Sequence, residues 1–375
     1  SYSVTGVQTC ALPISPFSKK STSQAKLNII SLYSGAMGLD LGFITAGFKI
    51  AVANDIDTKA ITTCRTNLPD IPYIQKSIDH LSPDEILKTS GISKEKIDLL
   101  LAAPPCQPYS TAGKRRGLKD ARSSPLTAFL RLINEFQPRS FVMEEVTGLL
   151  SSRIEHVPIN ERGKHILNEN QKPGSVFKLV LEMLTSTGYQ FDYRVLNAAD
   201  YGAPQSRQRI IIIGLKEGEV TFPEPTHWLK NSPTKNTKSQ IWNTLWESIA
   251  DIQPSEMHHT SINMKAAKYM QNVPPGGNWR HLPEDQIQEA MGGAYHAGGG
   301  KMGFFRRLAW DEPSPTLLTS PLQKGSMYVH PYELRPLSIE EYKRIQGFPD
   351  DWVIEGTLQD QYRQIGNAVP VYLSY

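Results

Sequence analysis

Cysteine is scarce: 375 residues hold three, at positions 10, 64 and 106. No Cys-x-x-Cys spacing occurs, which argues against a disulfide framework or a zinc site and for a reducing, intracellular compartment. Apolar runs of the roughly 18 residues that a membrane helix needs are also missing. The longest, Leu99–Ala103 and Ile210–Leu215, have the length of buried strands. Charge of one sign is not in excess either. The net charge is +3, from 40 Lys and Arg against 37 Asp and Glu, and this only weakly suggests nucleic acid. Internal repeats and long low-complexity tracts are absent. Ser1–Lys26 lacks the basic start and clean apolar stretch of a signal peptide, and Pro13 and Pro16 interrupt it. Val4–Ile14 reads VTGVQTCALPI, the translation of a common sequencing-adapter oligonucleotide. Residues up to about Ser15 are therefore expected to be an assembly artefact, and Ser1–Lys26, with Cys10, is set aside from the fold.

What is present is globular: 39% hydrophobic and 21% charged, with length for one large domain and one smaller. From Leu27 to Leu215 short apolar runs alternate with helical stretches. The runs are Leu27–Tyr33, Ile50–Asn54, Ile71–Ile74, Ile97–Ala103, Phe141–Val146, Phe191–Leu196 and Ile210–Leu215. Helices are expected at Leu39–Ala46, Thr58–Asn67, Leu126–Phe136 and Val176–Leu184, and after Ser82, whose N-cap, proline and capping-box glutamate (Glu85) begin another. Continuously apolar strands alternating with helices predict an α/β fold, a doubly wound and mostly parallel sheet covered on both faces. After Leu215 the texture becomes rich in Pro, Gly, Asn, Thr and His, which predicts a smaller irregular domain over residues 216–334. Residues 335–375, with a helix at Leu337–Gln346, would return to the first domain, whose main part is 27–215.

Chemistry gathers at strand ends. Leu32-Tyr-Ser-Gly-Ala-Met-Gly38 follows the first strand and opens a helix, where glycines allow close backbone approach and free N–H groups await a ligand. Asp55 ends the second strand 20 positions after Gly35, the place of a ribose-binding acid in nucleotide-binding α/β folds. A tight turn and a surface acid explain this pair equally well. More specific is Pro104-Pro-Cys-Gln-Pro108, delivered by a buried strand. Prolines make a stiff platform at the edge where such sheets bind ligands, and a nucleophilic cysteine needs fixed aim. Cys64, mid-helix, reads instead as a small buried hydrophobe.

Pro-Cys-Gln downstream of the glycine turn resembles the DNA (cytosine-5) methyltransferases of prokaryotic restriction-modification type. Phe141-Val-Met-Glu-Glu-Val146 resembles the family's Glu-Asn-Val element. Gln205-Ser-Arg-Gln-Arg209 resembles its Gln-x-Arg-x-Arg strand, and Arg306–Thr316 the segment that braces its recognition domain. Gln346-Gly-Phe-Pro349 and Gln364–Pro370 resemble its closing elements. These motifs occur in order across Leu27–Tyr375. The resemblance implies an S-adenosylmethionine-dependent, Rossmann-like methyltransferase with a target-recognition domain. Cys106 would add to cytosine carbon 6, Glu144 would serve ring nitrogen 3, Arg209 would hold the carbonyl oxygen, and Arg207 would help order the site. Both arginines, two apart on a strand, could point into the cleft. Tyr33, Gly35, Gly38, Asp55, Ile56, Pro105, Asn367 and Val369 would line the cofactor pocket. Gly113–Arg122, with five cations and two glycines, would close over DNA phosphates. Bases would be read by residues from about Pro223 to Gly303, with Asn278, Arg280, Gln286 and Lys301 as candidates. The expected partner is double-stranded DNA, with no membrane and no metal. The enzyme would be a monomer in the cytoplasm, at the nucleoid, beside a cognate restriction endonuclease.

The pattern is not perfect. Met37 and Glu145 stand where the family prefers glycine and asparagine, and Ile56 where an aromatic is common. Ser77 occupies the place of an acid that ends the third strand, and the chain stops at Tyr375, early in what should be the last helix. Three other readings compete. A tRNA cytosine-5 methyltransferase would carry Cys-Phe-Thr in its recognition domain, and no cysteine follows Cys106. A nicotinamide-dependent oxidoreductase leaves Cys106 and both arginines unexplained. A catalytically impaired DNA-binding homologue would bind cofactor without turnover.

Overall fold

The computed structural model describes residues 26–105, 125–155, 157, 164, 166–230, 240–296, 303–323 and 327–375. Cys106, the basic segment Gly113–Arg122 and Lys301 lie outside the described residues. The expected elements form, with ends shifted by one or two residues. The strands are β1 (Asn28–Leu32), β2 (Lys49–Asp55), β3 (Tyr73–Gln75), β4 (Leu99–Ala102), β5 (Ser140–Val146), β6 (Gln190–Asn197), the short β7 (Gln205–Ser206) and β8 (Gln208–Leu215). The helices among them are α1 (Gly38–Thr45), α2 (Thr58–Asn67), α3 (Pro83–Ser90), α4 (Pro125–Phe136) and α5 (Ser175–Thr185). Ser82 caps α3 by accepting from the Glu85 N–H at 3.2 Å. The Glu85 carboxylate reaches Lys76 at 2.7 Å.

Seven strands form one sheet in the order β3-β2-β1-β4-β5-β8-β6. Strands β1 to β5 run parallel, whereas β8 is antiparallel to both β5 and β6. The reversal follows from chain length. The short stretch between β6 and β8 holds one turn of 3-10 helix and β7, too little for the crossover of a dozen or more residues that a parallel pair needs. The Phe141 ring lies over Gly214, its cross-strand partner, where any side chain would collide with it.

Alternation along the strands sends side chains to two cores. Ile29, Leu99 and Leu101 face α1, α2 and the end of the chain. Ile30, Leu32, Leu100 and Phe141 face α3, α4 and α5. Phe129, Phe136 and Phe141 are fully buried in the second core, each contributing about 1.5–3 kcal/mol.

Beyond β8 the elements are short: β9 (His227–Trp228), β10 (Gln240–Ile241), α6 (Leu245–Ile249), α7 (Met264–Met270), α8 (Glu284–Met291), β11 (Arg306–Arg307), β12 (Ser314–Pro315) and β13 (Tyr328–Val329). Tyr269, Met270, Val273, Leu282 and Val329 make a small core of their own. Leu245, Ile249, Leu308 and Leu317 join the large core on the α1 side. The chain closes with α9 (Ile339–Gln346), α10 (Leu358–Asn367) and α11 (Val371–Ser374). Gly42 of α1 lacks the side chain that would strike Ser374, so α11 packs directly on α1.

Candidate active site

The strand order reverses between β1 and β4, and ligands of open α/β sheets bind in the crevice at such a switch point. The ends of these two strands carry the glycine turn and Pro104-Pro105, so topology alone brings together two motifs that lie 70 residues apart. Pro104 is buried and Pro105 exposed, which leaves the chain leaving β4 at the mouth of the crevice just before Cys106.

The turn after β1 is tightly wound. Tyr33, Gly35 and Met37 have φ of 57°, 52° and 71°, all left-handed. That conformation explains the glycine the family prefers at position 37, because a side chain there is strained. Met37 offsets the strain by burying its side chain completely in the large core. The turn is held by Asp55, whose carboxylate accepts from the Gly35 and Asp57 N–H groups, each at 2.8 Å. Burial raises the Asp55 pKa, against the lowering effect of these bonds. Each carboxylate oxygen keeps a further lone pair for a ligand hydroxyl. Cys64 is buried as expected, and its thiol donates to the Gly35 carbonyl at 3.2 Å.

These residues border open space. A Cβ placed on Gly35 would meet nothing within 4 Å. Ile56 is 67% exposed, and Asn367 is exposed at the end of α10. Tyr33 is half-buried, its hydroxyl donating to the Pro125 carbonyl at 2.8 Å. The expected pocket residues thus fit a nucleotide-like ligand: a backbone cradle, an acid for hydroxyls and an exposed apolar surface for a base. Ser77 donates to Asp79 at 3.3 Å, so a carboxylate stands two residues beyond the place where the sequence lacks one.

Gly38 also has a packing part that the sequence did not show. It begins α1, and a Cβ there would collide with the Val369 carbonyl and come within 2.9 Å of the Ala368 side chain. Its smallness lets residues 368–369 pack against the turn. Gly38→Ala is expected to cost about 1–3 kcal/mol by overpacking and to weaken cofactor binding. Thermal melting with and without S-adenosylhomocysteine measures both, and an unchanged Tm would contradict the packing role.

The other side of the crevice carries the acid and the arginines. Glu144 lies at the end of β5, and Arg209 near the start of the antiparallel β8, opposite Val146. Residues two apart on β5 share a face, so Glu144 and Arg209 meet diagonally across the strands. Arg209 Nε lies 2.6 Å from Glu144 Oε1, both largely buried. Arg209 also donates to the Gln208 carbonyl at 2.8 Å. Arg207 corrects an expectation. It does not point into the cleft beside Arg209. Buried just before β8, it donates to the Leu317 and Gly366 carbonyls at 3.0 and 2.9 Å.

Glu145 points to the opposite face from Glu144, the side of Met143 and Phe141, and is buried. Burial first, then the neighbouring Glu144, push its carboxyl up to about 8, against Val146 N–H and Arg209, which lower it. At neutral pH it is a neutral acid, a polar group without charge where the family has a polar amide. An acid raised from the ordinary 4.5 holds its proton in the folded state after the unfolded chain has released it. Its contribution is therefore greatest below about pH 4.5 and is lost as pH rises towards 8. Glu145→Gln is expected to flatten the fall of Tm between about pH 4.5 and 8, leaving the part due to Asp40, whose buried carboxyl is pushed up to about 7. A Tm–pH curve parallel to that of the wild type would refute this.

In the smaller region, Asn278 accepts from the Arg280 N–H at 3.0 Å and Gln286 from Asn272 at 3.1 Å. The Arg280 guanidinium lies 5.3 Å from the Trp279 ring centre. Among the described residues no group of His, Cys, Asp and Glu could hold a metal ion, and no helix is long and apolar enough to cross a membrane.

A doubly wound sheet with one reversed strand, a glycine turn over β1 and a Glu–Arg pair beside the exit of β4 define a Rossmann-like methyltransferase. The chain belongs to the C-5 cytosine-specific DNA methylase family, which matches residues 27–375. It is a DNA (cytosine-5-)-methyltransferase of the type II restriction-modification kind. The type II methyltransferase M.Sau96I of Staphylococcus aureus is 36% identical over 349 residues, 92% of this chain and 74% of that protein. M.Eco47II of Escherichia coli is 36% identical over 351 residues, 92% of this chain and 76% of its own length. The fold is shared with a solved E. coli protein described as a prophage-encoded DNA modification methyltransferase, with TM-score 0.60, 24% identity, and 93% and 96% of the two chains covered.

Proposed function

We propose that the enzyme takes the methyl group from S-adenosylmethionine and places it on carbon 5 of a cytosine flipped out of a short specific DNA sequence, with Cys106 as covalent nucleophile. The observation that carries this reading is the Glu144–Arg209 pair, 2.6 Å apart, at the sheet edge where β4 delivers Pro104-Pro105. Cytosine carbon 5 is a poor nucleophile. Addition of the Cys106 thiolate to carbon 6 turns the ring into an enamine, and the charge moves onto nitrogen 3 and the carbonyl oxygen. Glu144 shares a proton with nitrogen 3 and accepts from the exocyclic amine, while Arg209 holds the oxygen. Arg207 acts indirectly, by tying this strand to Leu317 and Gly366. Tyr33, Gly35, Asp55, Ile56, Pro105, Asn367 and Val369 hold the methyl donor, with Gly38 setting the position of Val369. Bound S-adenosylmethionine supplies an electrophilic methyl group. Carbon 5 then carries both methyl and proton. Loss of the proton to a base, for which water suffices, restores the ring double bond and expels the thiolate.

The target atom is unreachable inside a duplex, so the base must leave the stack. Phosphate contacts fall to Gly113–Arg122, and base reading to residues 223–303. The reading extends to a monomer that shares its site with a restriction endonuclease. The test is transfer of labelled methyl to unmethylated genomic DNA, followed by bisulfite sequencing. Methylcytosine confined to one short context supports the proposal. A folded, cofactor-binding protein that modifies no DNA would refute it.

A further inference from the structure

The last turn of α10 is capped from outside by side chains that also reach the catalytic strand. A helix end leaves carbonyls without helical partners. Here Gln346 donates to the Ile365 and Ala368 carbonyls at 2.6 and 3.1 Å, and Arg207 donates to Gly366 at 2.9 Å. Gln346 Oε1 accepts from Gln205 Nε2 at 2.8 Å. Gln205 Oε1 in turn accepts from the Leu317 N–H at 3.0 Å, and the Leu317 carbonyl accepts from Arg207 at 3.0 Å. The bonds close a ring. Gln205 and Gln346 are fully buried, so any bond lost leaves a group unsatisfied away from water. On one side the ring brackets the exposed Asn367 and leads to Val369 against Gly38. On the other it holds Arg207, two residues before Arg209 and its partner Glu144.

We propose that Gln205 and Gln346 are positioning residues that couple the methyl-donor pocket to the base pocket. The inference rests on the assignment of those pockets above. A ligand seated on Asn367 and Val369 fixes the carbonyls of residues 365–368. The buried amides transmit that order to the strand that aims Arg209, because a satisfied network in a dry interior has no half-shifted arrangement of similar energy. Coupling of this kind is reciprocal: DNA must tighten cofactor binding by the factor by which cofactor tightens DNA binding.

The test uses the full chain and titration calorimetry with S-adenosylhomocysteine. Its affinity is measured alone and with a saturating unmethylated duplex carrying the methylated sequence context. The wild type is expected to bind it at least about 5-fold tighter with the duplex, the lower end of ordinary coupling, and the ratio to fall below about 2-fold in Gln346→Met and Gln205→Met. Methionine keeps the length and removes the amide. Should either fail to fold, Gln346→Asn, which keeps an amide but shortens its reach, carries the same expectation. A merely structural role would lower Tm and weaken both affinities by a common factor. An unchanged ratio in folded variants, or a wild-type ratio of one, overturns the coupling. A wild type that binds neither ligand overturns the functional assignment and the coupling with it.

Discussion

Alanine at position 106 is expected to abolish methyl transfer, by about 10⁶-fold, the scale on which loss of a covalent nucleophile is felt. Without the thiolate nothing adds at carbon 6, and carbon 5 keeps its aromatic reluctance to attack. The turn at Tyr33–Gly38 and the Glu144–Arg209 pair are built from other strands, so cofactor and DNA affinity should survive in C106A. A second readout separates nucleophile from scaffold. In a duplex carrying 5-fluorocytosine at the target, carbon 5 has no proton to lose after methylation, so the thioether cannot be expelled. Wild-type protein should remain attached to that DNA through denaturing electrophoresis, and C106A should not. Residual transfer by C106A within tenfold of wild type would remove Cys106 from the mechanism.

Much of this architecture was legible because burial on both faces of a sheet writes itself as continuous apolar runs. Leu99–Ala102 and Ile210–Leu215 could hardly be anything else. The reversal of β8 is not written in its residues, since Ile210–Ile213 would suit either direction; the short link from β6 decides it. Spacing placed Asp55 correctly at a strand end, but its bond to Gly35 is a property of the turn, not of the acid. Likewise Gly38 and Arg207 were found by motif, but the packing of the one and the direction of the other were not legible. A glycine required by a neighbouring backbone looks the same in sequence as one required by a ligand. An arginine bonded to carbonyls more than 100 residues away looks like one aimed at a substrate. The ring through Gln205 and Gln346 was hidden for a similar reason: both glutamines sit inside recognised motifs, yet only the fold shows that the motifs touch. The Met37 and Glu145 departures are resolved locally, one by core burial of the side chain and the other by a carboxyl that stays neutral.

Glu144→Gln should lower methyl transfer by about 10²–10⁴-fold, the usual worth of a positioned acid–base group, with some loss of stability because the Arg209 side chain, 12% exposed, loses its counter-charge. Glutamine matches the shape of the acid and can still accept from the cytosine amine, but its amide N–H can only hydrogen-bond to nitrogen 3 and cannot transfer a proton to it. The defect should therefore fall on turnover rather than on DNA affinity. Removing Arg209 instead has two consequences. It takes the clamp from the cytosine oxygen, and it strands a carboxylate only 9% exposed, which costs about 3–5 kcal/mol when a buried pair is broken from one side. Arg209→Met should then be both inactive and unstable, and adding Glu144→Gln to it should restore stability without restoring activity. That pattern follows only if the pair is at once a structural ion pair and the grip on the base. If the double variant recovered transfer along with its Tm, the two residues would be scaffold, and the proton for nitrogen 3 would have to come from elsewhere in the crevice.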